Sequence, residues 1–137
     1  MIYIKRKEHF SAAHRVWNDS WDTKKNLEIF GKCSNGNYHG HNFELEVTVK
    51  GEINPETGFV MNLADLKDIL NTNIIDVVDH MNLNLDVDFL KGKNPTTEIL
   101  AMEFWKILAP IIKEYGAELH CILLVETNKN SIEYYGE

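Results

Sequence analysis

Residues 30–49, FGKCSNGNYHGHNFELEVTV, join a glycine-rich loop to a segment in which apolar and polar residues alternate. From His39 onward, every second residue is a histidine or an apolar residue, and the residues between them are glycine or polar. Because successive side chains of a β-strand point to opposite faces, this pattern predicts a half-buried strand whose buried face begins with His39 and His41. Two imidazoles on an apolar face are costly to desolvate unless a partner holds them, and a metal ion is the partner that we expect.

The size and charge of the chain limit its classes of function. Its 137 residues suit one domain over residues 1–137, and its net charge of −7 disfavours non-specific binding to nucleic acids or membranes. The N-terminal residues contain no long apolar segment, so we expect a cytoplasmic protein. The two cysteines, Cys33 and Cys121, are too few for a disulfide framework and are expected to be reduced thiols. An anionic small substrate remains compatible with this charge if a local basic cluster forms from Arg15, Lys24, Lys25 and Lys32.

The segments at both ends of the chain predict further strands. Residues 1–15 are rich in aromatic and β-branched residues, which indicates a strand that ends near His14. Residues 117–137 indicate two strands around a polar turn at residues 128–130.

Two segments have the apolar spacing of amphipathic helices. Within residues 59–80, Asn62 is the expected helix cap, and the apolar positions at helical spacing after it are Leu63, Leu66, Leu70 and Ile74. Residues 94–116 indicate a second helix, and Pro110 is expected to bend or shorten this helix. The predicted buried face of this second helix consists of Leu100, Phe104, Ile107 and Ile111.

Between the first two strands, residues 18–32 indicate a loop with one or two helical turns, capped by Asp22 or Thr23 and stopped at Gly31. The order of the main elements is strand, strand, helix, helix, strand, strand. This order favours an α+β domain in which an antiparallel sheet is covered on one face. Such a sheet has open edges and an uncovered face, so we expect the chain to self-associate.

The pair His39 and His41 alone is a weak metal motif, because a catalytic zinc site usually has three protein ligands and one open position. His14 is the expected third ligand, since it ends a strand that can form a hairpin with the strand of His41. Of the other histidines, His9 is expected to be exposed, and His120 to be a hydrogen-bonded residue of the core or of an interface.

Cys33 lies six residues before His39, and the glycines of this loop allow tight turns that would bring the thiol near the metal. Two roles are open for it: a fourth, structural metal ligand, or a proton-transferring group with raised thiolate character. Asp79 could orient the neighbouring His80 towards this thiolate as an acid–base relay. Taken alone, an Asp-His pair after a helix is more often a cap with a solvent-facing ring.

Several segments form a specific combination of motifs: FSAAHR (10–15), FGKC (30–33), HGH (39–41), GEINPETGFVMNLADLK (51–67), VDHMNLN (78–84), NPTTE (94–98), VET (125–127) and YYGE (134–137). In this combination the chain resembles the 6-pyruvoyl-tetrahydropterin synthase family, including bacterial relatives that make 6-carboxy-tetrahydropterin for queuosine. The resemblance implies the tunnelling fold, in which a four-stranded antiparallel sheet (ββααββ) carries two helices on one face. It also implies a homo-oligomeric barrel, a hexamer built from two trimers.

The resemblance also implies a role for each candidate residue. The implied Zn²⁺ ligands are His14, His39 and His41. The implied catalytic residues are the thiol of Cys33 and a relay pair from a neighbouring subunit, Asp79 and His80. The implied pterin-binding residues are Thr96, Thr97, Glu98 and Glu126. A carboxylate suits this task, because it can accept paired hydrogen bonds from the pterin ring.

The implied substrate is 7,8-dihydroneopterin triphosphate, a small molecule that would lose triphosphate while its side chain rearranges by internal redox. Five residues separate Cys33 from His39, a spacing similar to that of the synthases with a pyruvoyl product, so we expect that product. The alternative is a 6-carboxy-tetrahydropterin synthase, whose retro-aldol step could use the same groups.

Two other classes of protein would also use three histidines: a zinc-stabilised binding module without turnover, and a zinc hydratase or hydrolase. Neither explains the joint presence of Cys33, Asp79, His80 and Glu126.

Overall fold

The computed structural model describes residues 1–137. Its strands are β1 (Ile2–His14), β2 (His39–Gly51), β3 (Met81–Asn82), β4 (Glu118–Thr127) and β5 (Asn130–Tyr134). They form one sheet in the order β3-β1-β2-β4-β5, in which all neighbours are antiparallel except β3 and β1. The helices are α1 (Thr23–Phe30), α2 (Leu63–Leu70), α3 (Asp76–Val78) and α4 (Thr97–Glu114). A π-helical segment, Asn71–Ile75, joins α2 to α3, and 3₁₀-helical turns lie at Gly31–Ser34 and Asp88–Leu90.

The predicted α+β class is confirmed, but the predicted four-stranded ββααββ sheet is wrong. The fifth strand, β3, pairs in parallel with Ala12 and Ala13 of β1. Backbone hydrogen bonds on both sides of β3 fix it, from the His80 N–H to Ser11 and from the Leu83 N–H to Ala13. Two residues are too few to produce an alternating pattern, so nothing in the sequence signals this strand.

The hydrophobic core lies between one face of the sheet and the helices α2 and α4. Phe10 of β1 stacks on Phe43 of β2, with ring centroids 4.8 Å apart, and Phe104 of α4 meets Phe10 edge-on. All three rings are fully buried. Burial of a large apolar side chain stabilises the fold by about 1.5–3 kcal/mol, so these rings anchor α4 to the two strands that carry the histidines.

The predicted buried face of α2 needs one correction. Leu66, Leu70 and Ile74 are fully buried, as expected, and Asn62 caps the helix by accepting a hydrogen bond from the Ala64 N–H. Leu63 is 47% exposed, because the helix begins in a surface segment whose residues 52–59 are all exposed.

The helix α4 continues through Pro110 to Glu114, so of the two predicted effects of the proline, shortening of the helix is wrong, and a bend stays a prediction. Its fully buried positions after Phe104 are Leu108 and Ile112, whereas Ile107 and Ile111 are only partly buried. Burial of residues on both sides of the proline offsets the one backbone hydrogen bond that a proline removes.

The predictions for the first helix and for the turn near the C-terminal end are confirmed. Asp22 caps α1 by accepting a hydrogen bond from the Lys25 N–H, and Gly31 follows the helix with a φ of +56°, which favours glycine. The turn between β4 and β5 lies where it is predicted. None of the helices combines the length and the apolar character that a membrane crossing requires.

Candidate active site

The three predicted zinc ligands meet where β1 ends and β2 begins. In the register of this hairpin, His14 is opposite His39, and Ala12 is opposite His41. All three imidazoles therefore continue the buried face that carries Phe43. Their potential ligand nitrogens lie within 4.8 Å of one another, close enough for one metal ion.

The surroundings of the histidines suit a metal ion. The His14 Nδ1 atom lies 2.8 Å from the Pro95 carbonyl oxygen, so it donates a hydrogen bond and leaves Nε2 unprotonated towards the cluster. Three buried ring nitrogens have no hydrogen-bond partner: His14 Nε2, His39 Nδ1 and His41 Nε2. Buried polar atoms without partners are costly, and a bound cation would satisfy all three at once. The residues present thus fit a zinc ion.

Burial favours the neutral form of two rings of the cluster, those of His14 and His39. Burial, together with the neighbouring histidines, lowers the pKa of His14 below its ordinary value, although the Pro95 carbonyl opposes this shift. Burial and His41 likewise lower the pKa of His39. A neutral imidazole is the form that binds a metal, so both residues are in the ligating form near neutral pH.

Glu126, near the end of β4, faces the histidines. Its carboxylate oxygens lie 3.8 Å from His41 Nε2 and 4.0 Å from His14 Nε2. The buried Thr97 hydroxyl donates a 2.7 Å hydrogen bond to Glu126 Oε2 and thereby orients the carboxylate. A cleft of about 490 Å³ opens beside it, and the four predicted pterin-binding residues line it: Thr96, Thr97, Glu98 and Glu126.

Cys33 lies in the 3₁₀-helical turn after α1, and its side chain is exposed. The Val16 N–H donates a 2.8 Å hydrogen bond to the Cys33 carbonyl, which attaches this turn to the residues that follow His14. The thiol is not part of the converging group of metal-ligating atoms. This arrangement favours a separate role for Cys33 over that of a fourth metal ligand.

Asp79 and His80 form a pair at the edge of β1. His80 Nδ1 lies 2.9 Å from Asp79 Oδ2, and the Ser11 N–H donates a 2.9 Å hydrogen bond to Asp79 Oδ1. This N–H group, followed by His80, holds the pKa of Asp79 below its ordinary value. The His80 side chain is 81% exposed, on a backbone with a φ of +62°. Positive φ is uncommon for a residue other than glycine, so the backbone at His80 is in a less favourable conformation.

Within one chain, the structure brings the histidines and Glu126 together but leaves the relay pair apart from the thiol. Neither Asp79 nor His80 forms a hydrogen bond with Cys33. His80 instead lines a cleft on the β1–β3 edge that also includes His41 and Met81.

The predicted basic cluster does not form in one cleft. Arg15 lines a polar cleft with Lys93, but its guanidinium donates to the Ser34 carbonyl. Lys25 lies over the Trp21 ring, and the amine of Lys24 is 4.0 Å from Glu28.

The two remaining histidine predictions have different outcomes. His9 is exposed, as predicted. His120 is half-buried and contacts the rings of Tyr3 and Tyr135 edge-on, so aromatic packing replaces the expected hydrogen bond.

Sequence reasoning missed the backbone groups that hold the site. The Pro95 carbonyl orients His14, and the Ser11 N–H fixes Asp79. Every residue has a carbonyl and most have an N–H, so no residue type signals such a contact. The only available signal is position, because Pro95 belongs to the motif NPTTE and Ser11 to FSAAHR.

Comparisons with known proteins identify the family of the chain. The family described as 6-pyruvoyl tetrahydropterin synthase matches residues 3–137. The 6-pyruvoyl tetrahydrobiopterin synthase of Pongo abelii is 42% identical over 134 residues, which cover 98% of this chain and 91% of the relative. The synthase of the same name from Dictyostelium discoideum is 40% identical over 136 residues, covering 99% of this chain and 97% of the relative.

A solved structure of a member of this family has the same fold as this chain. The Caenorhabditis elegans 6-pyruvoyl tetrahydropterin synthase superposes with a TM-score of 0.92 at 37% identity, covering 99% of this chain and 96% of that one. The family model, the identity over nearly the full chain and the shared fold confirm the resemblance stated from the motifs. The chain therefore belongs to the 6-pyruvoyl tetrahydropterin synthase family.

Proposed function

We propose that this chain is a zinc-dependent lyase that converts 7,8-dihydroneopterin triphosphate into 6-pyruvoyl tetrahydropterin. The observation that carries the proposal is the position of Glu126, which lies within 3.8 and 4.0 Å of two histidine nitrogens and also lines the adjoining cleft. A molecule held by this carboxylate would have its neighbouring atoms at the histidine cluster. The names of the curated relatives support the pyruvoyl product over the carboxy product.

Recognition of the pterin would rest on Glu126. A pterin ring offers two adjacent N–H donors, at the 2-amino group and at N3, and one carboxylate can accept both. The Thr97 hydroxyl keeps the carboxylate in place through its 2.7 Å hydrogen bond, so less ordering is needed when the ring binds. Thr96 and Glu98 line the same cleft and would limit the position of the ring.

The zinc ion would be held by His14, His39 and His41. When bound, zinc supplies a Lewis acid that lowers the pKa of the hydroxyl groups on the substrate's side chain. The Pro95 carbonyl keeps the His14 ring in the ligating tautomer.

Cys33 would transfer the protons. Its thiolate would remove a proton from a carbon of the substrate's side chain and return it at another position, while triphosphate leaves with the electron pair of the broken C–O bond. The side chain is oxidised by two electrons and the dihydropterin ring is reduced by two, so no external electron carrier is needed.

The relay partner of this thiol would come from another subunit. The His80 side chain is exposed beside β1, and neither His80 nor the half-buried Asp79 forms a hydrogen bond with the thiol of its own chain, which favours a role across a subunit boundary. We propose a homo-hexamer of two trimers, in which the part of β1 that β3 leaves unpaired and the edge strand β5 continue the sheet into neighbouring copies. Sedimentation equilibrium at micromolar concentration tests this assembly, and a monomer would contradict it.

Mass spectrometry of the reaction products tests the activity. Zinc-loaded wild type and Cys33→Ala are incubated in parallel with 7,8-dihydroneopterin triphosphate. We expect wild type to form the 6-pyruvoyl product with free triphosphate, and Cys33→Ala to retain its zinc without turnover.

Each other result has a defined meaning. A 6-carboxy product with acetaldehyde would assign the chain to the other branch of the family. Substantial activity of Cys33→Ala would indicate hydration or hydrolysis by a metal-bound hydroxide. The absence of turnover by fully metallated wild type would overturn the proposed reaction.

A further inference from the structure

Arg15 directly follows the buried His14, and its side chain reaches the turn that carries Cys33. The guanidinium Nε and Nη2 atoms both donate hydrogen bonds to the Ser34 carbonyl oxygen, at 3.2 and 2.9 Å. A hydrogen bond from a charged donor is stronger than one between neutral groups, and here two such donors share one acceptor. The side chain of Arg15, which follows His14, thus holds Ser34, which follows Cys33.

The Cys33 turn is held at two successive carbonyl groups. Besides the contact from Arg15 to Ser34, the Val16 N–H donates a 2.8 Å hydrogen bond to the Cys33 carbonyl. Ser34 is itself 1% exposed, and its hydroxyl donates a 2.6 Å hydrogen bond to Gly31 at the start of the turn. The thiol is exposed while the backbone that carries it is fixed to residues 15 and 16.

Arg15 is itself held in place from two sides. The side-chain amide of Asn84 accepts a 2.9 Å hydrogen bond from the Arg15 N–H and donates a 3.0 Å hydrogen bond to the Arg15 carbonyl. The guanidinium lies over the Trp17 ring, 4.2 Å from its centroid. Neither the backbone nor the side chain of Arg15 can move without breaking these contacts.

We propose that Arg15 is a positioning residue, which sets the distance and orientation of the Cys33 thiol relative to the histidine cluster. This inference rests on the proposed role of that thiol in proton transfer. Lysine cannot replace the arginine, because an ammonium group lacks the planar fork that donates two bonds while stacking on an aromatic ring. Loss of the contact frees the turn, and a displacement of about 1 Å at a reacting group can cost roughly a hundredfold in rate.

The test compares Arg15→Lys and Arg15→Gln with wild type and with Arg6→Lys as a matched control. Arg6 lies on β1, the strand that ends directly before Arg15, but it pairs only with Glu8, at 2.7 Å. For each protein we measure bound zinc, kcat and KM, and the rate at which iodoacetamide alkylates Cys33 across the pH range in which a thiol ionises. Cys33→Ser serves as the blank for Cys121, which is buried.

We expect both Arg15 variants to retain zinc, to lose about tenfold or more in kcat with little change in KM, and to show a changed pH profile of alkylation. Added guanidinium should partly restore the profile in Arg15→Gln, while Arg6→Lys should match wild type. A zinc-loaded Arg15→Gln with the wild-type kcat and alkylation profile would overturn the inference, and if it fails to fold, the same result for Arg15→Lys would do so. The alkylation profile needs no turnover, so it tests the inference even if the proposed reaction is wrong.

Discussion

The histidine cluster and the Asp79–His80 pair lie at the same end of β1, but they differ in burial and in completeness. His14 is 1% exposed, and its partners converge within a single chain. The His80 side chain is 81% exposed, and its imidazole pairs with the neighbouring Asp79. On the proposed function, the metal site would be set by the register of one hairpin, whereas the site of proton transfer would need a second subunit to become complete.

The largest expected effect is the loss of the metal site. His41→Ala removes one of three converging nitrogens, so we expect zinc affinity to fall by at least about a hundredfold and activity to disappear with it. Zinc content after dialysis, measured by atomic emission, checks this outcome. The control is His9→Ala on β1, which should keep both zinc and activity because His9 is exposed. Stoichiometric zinc in His41→Ala would remove this residue from the ligand set.

The second prediction separates the two regions directly. Cys33→Ala and His80→Ala should each lose about 10²–10⁴-fold in kcat while keeping zinc, since each removes a proton-transfer group. If the relay acts between subunits, unfolding and refolding the two variants as an equal mixture should create some sites with both groups intact. About a quarter of the sites would recover, because half of the subunits supply each group.

The recovery in this mixture distinguishes the two arrangements. If Asp79 and His80 served the thiol of their own chain, no mixed assembly could contain a complete site. Activity that stays at the level of the separately refolded variants would therefore contradict the proposal that a second subunit completes the site of proton transfer.

Glu126 gives an effect of intermediate size. Glu126→Ala should weaken pterin binding by about 2–4 kcal/mol, because it removes a partly buried carboxylate that would accept charge-assisted hydrogen bonds. Zinc content should stay unchanged, since the carboxylate is not among the three ligands. Calorimetric titration with a pterin measures the affinity, and Glu118→Ala on the same strand is the control because that exposed side chain pairs only with Lys50. Unchanged affinity would contradict the anchoring role.

The smallest expected effect concerns the pH dependence of stability. Because the Ser11 N–H, followed by His80, holds the pKa of Asp79 below its ordinary value, the carboxylate stabilises the fold above the pKa of the unfolded state. This contribution is lost as the pH falls through the folded-state pKa. Asp79→Asn should thus lower the free energy of unfolding at neutral pH, by no more than about 1 kcal/mol for a solvent-exposed carboxylate, and have less effect in acid. Thermal unfolding of wild type and Asp79→Asn at neutral and at acid pH measures this difference. An equal loss of stability at the two pH values would contradict the lowered pKa of Asp79.

The sequence predicts the buried half of the site better than the exposed half. Alternation along β2 places His39 and His41 on the core face, and the hairpin register adds His14, because burial leaves a periodic pattern in the residue types. The position of the Asp79–His80 pair depends on β3 and on the Ser11 N–H, which leave no such pattern. The fold class follows from the order of the elements. The order does not predict the two-residue strand β3 or the buried face of α4 after Phe104.

The hydrogen bond between His14 and the Pro95 carbonyl joins a metal ligand to the segment that begins α4. The next two residues are Thr96, which caps α4 through the Ile99 N–H, and Thr97, which orients Glu126. A rotation of the His14 ring would therefore shift the backbone that shapes the pterin cleft. Binding of the ion and binding of the pterin then share a coupling free energy, and this coupling is reciprocal. On the proposed function, the factor by which a bound pterin changes the zinc affinity equals the factor by which zinc changes the pterin affinity.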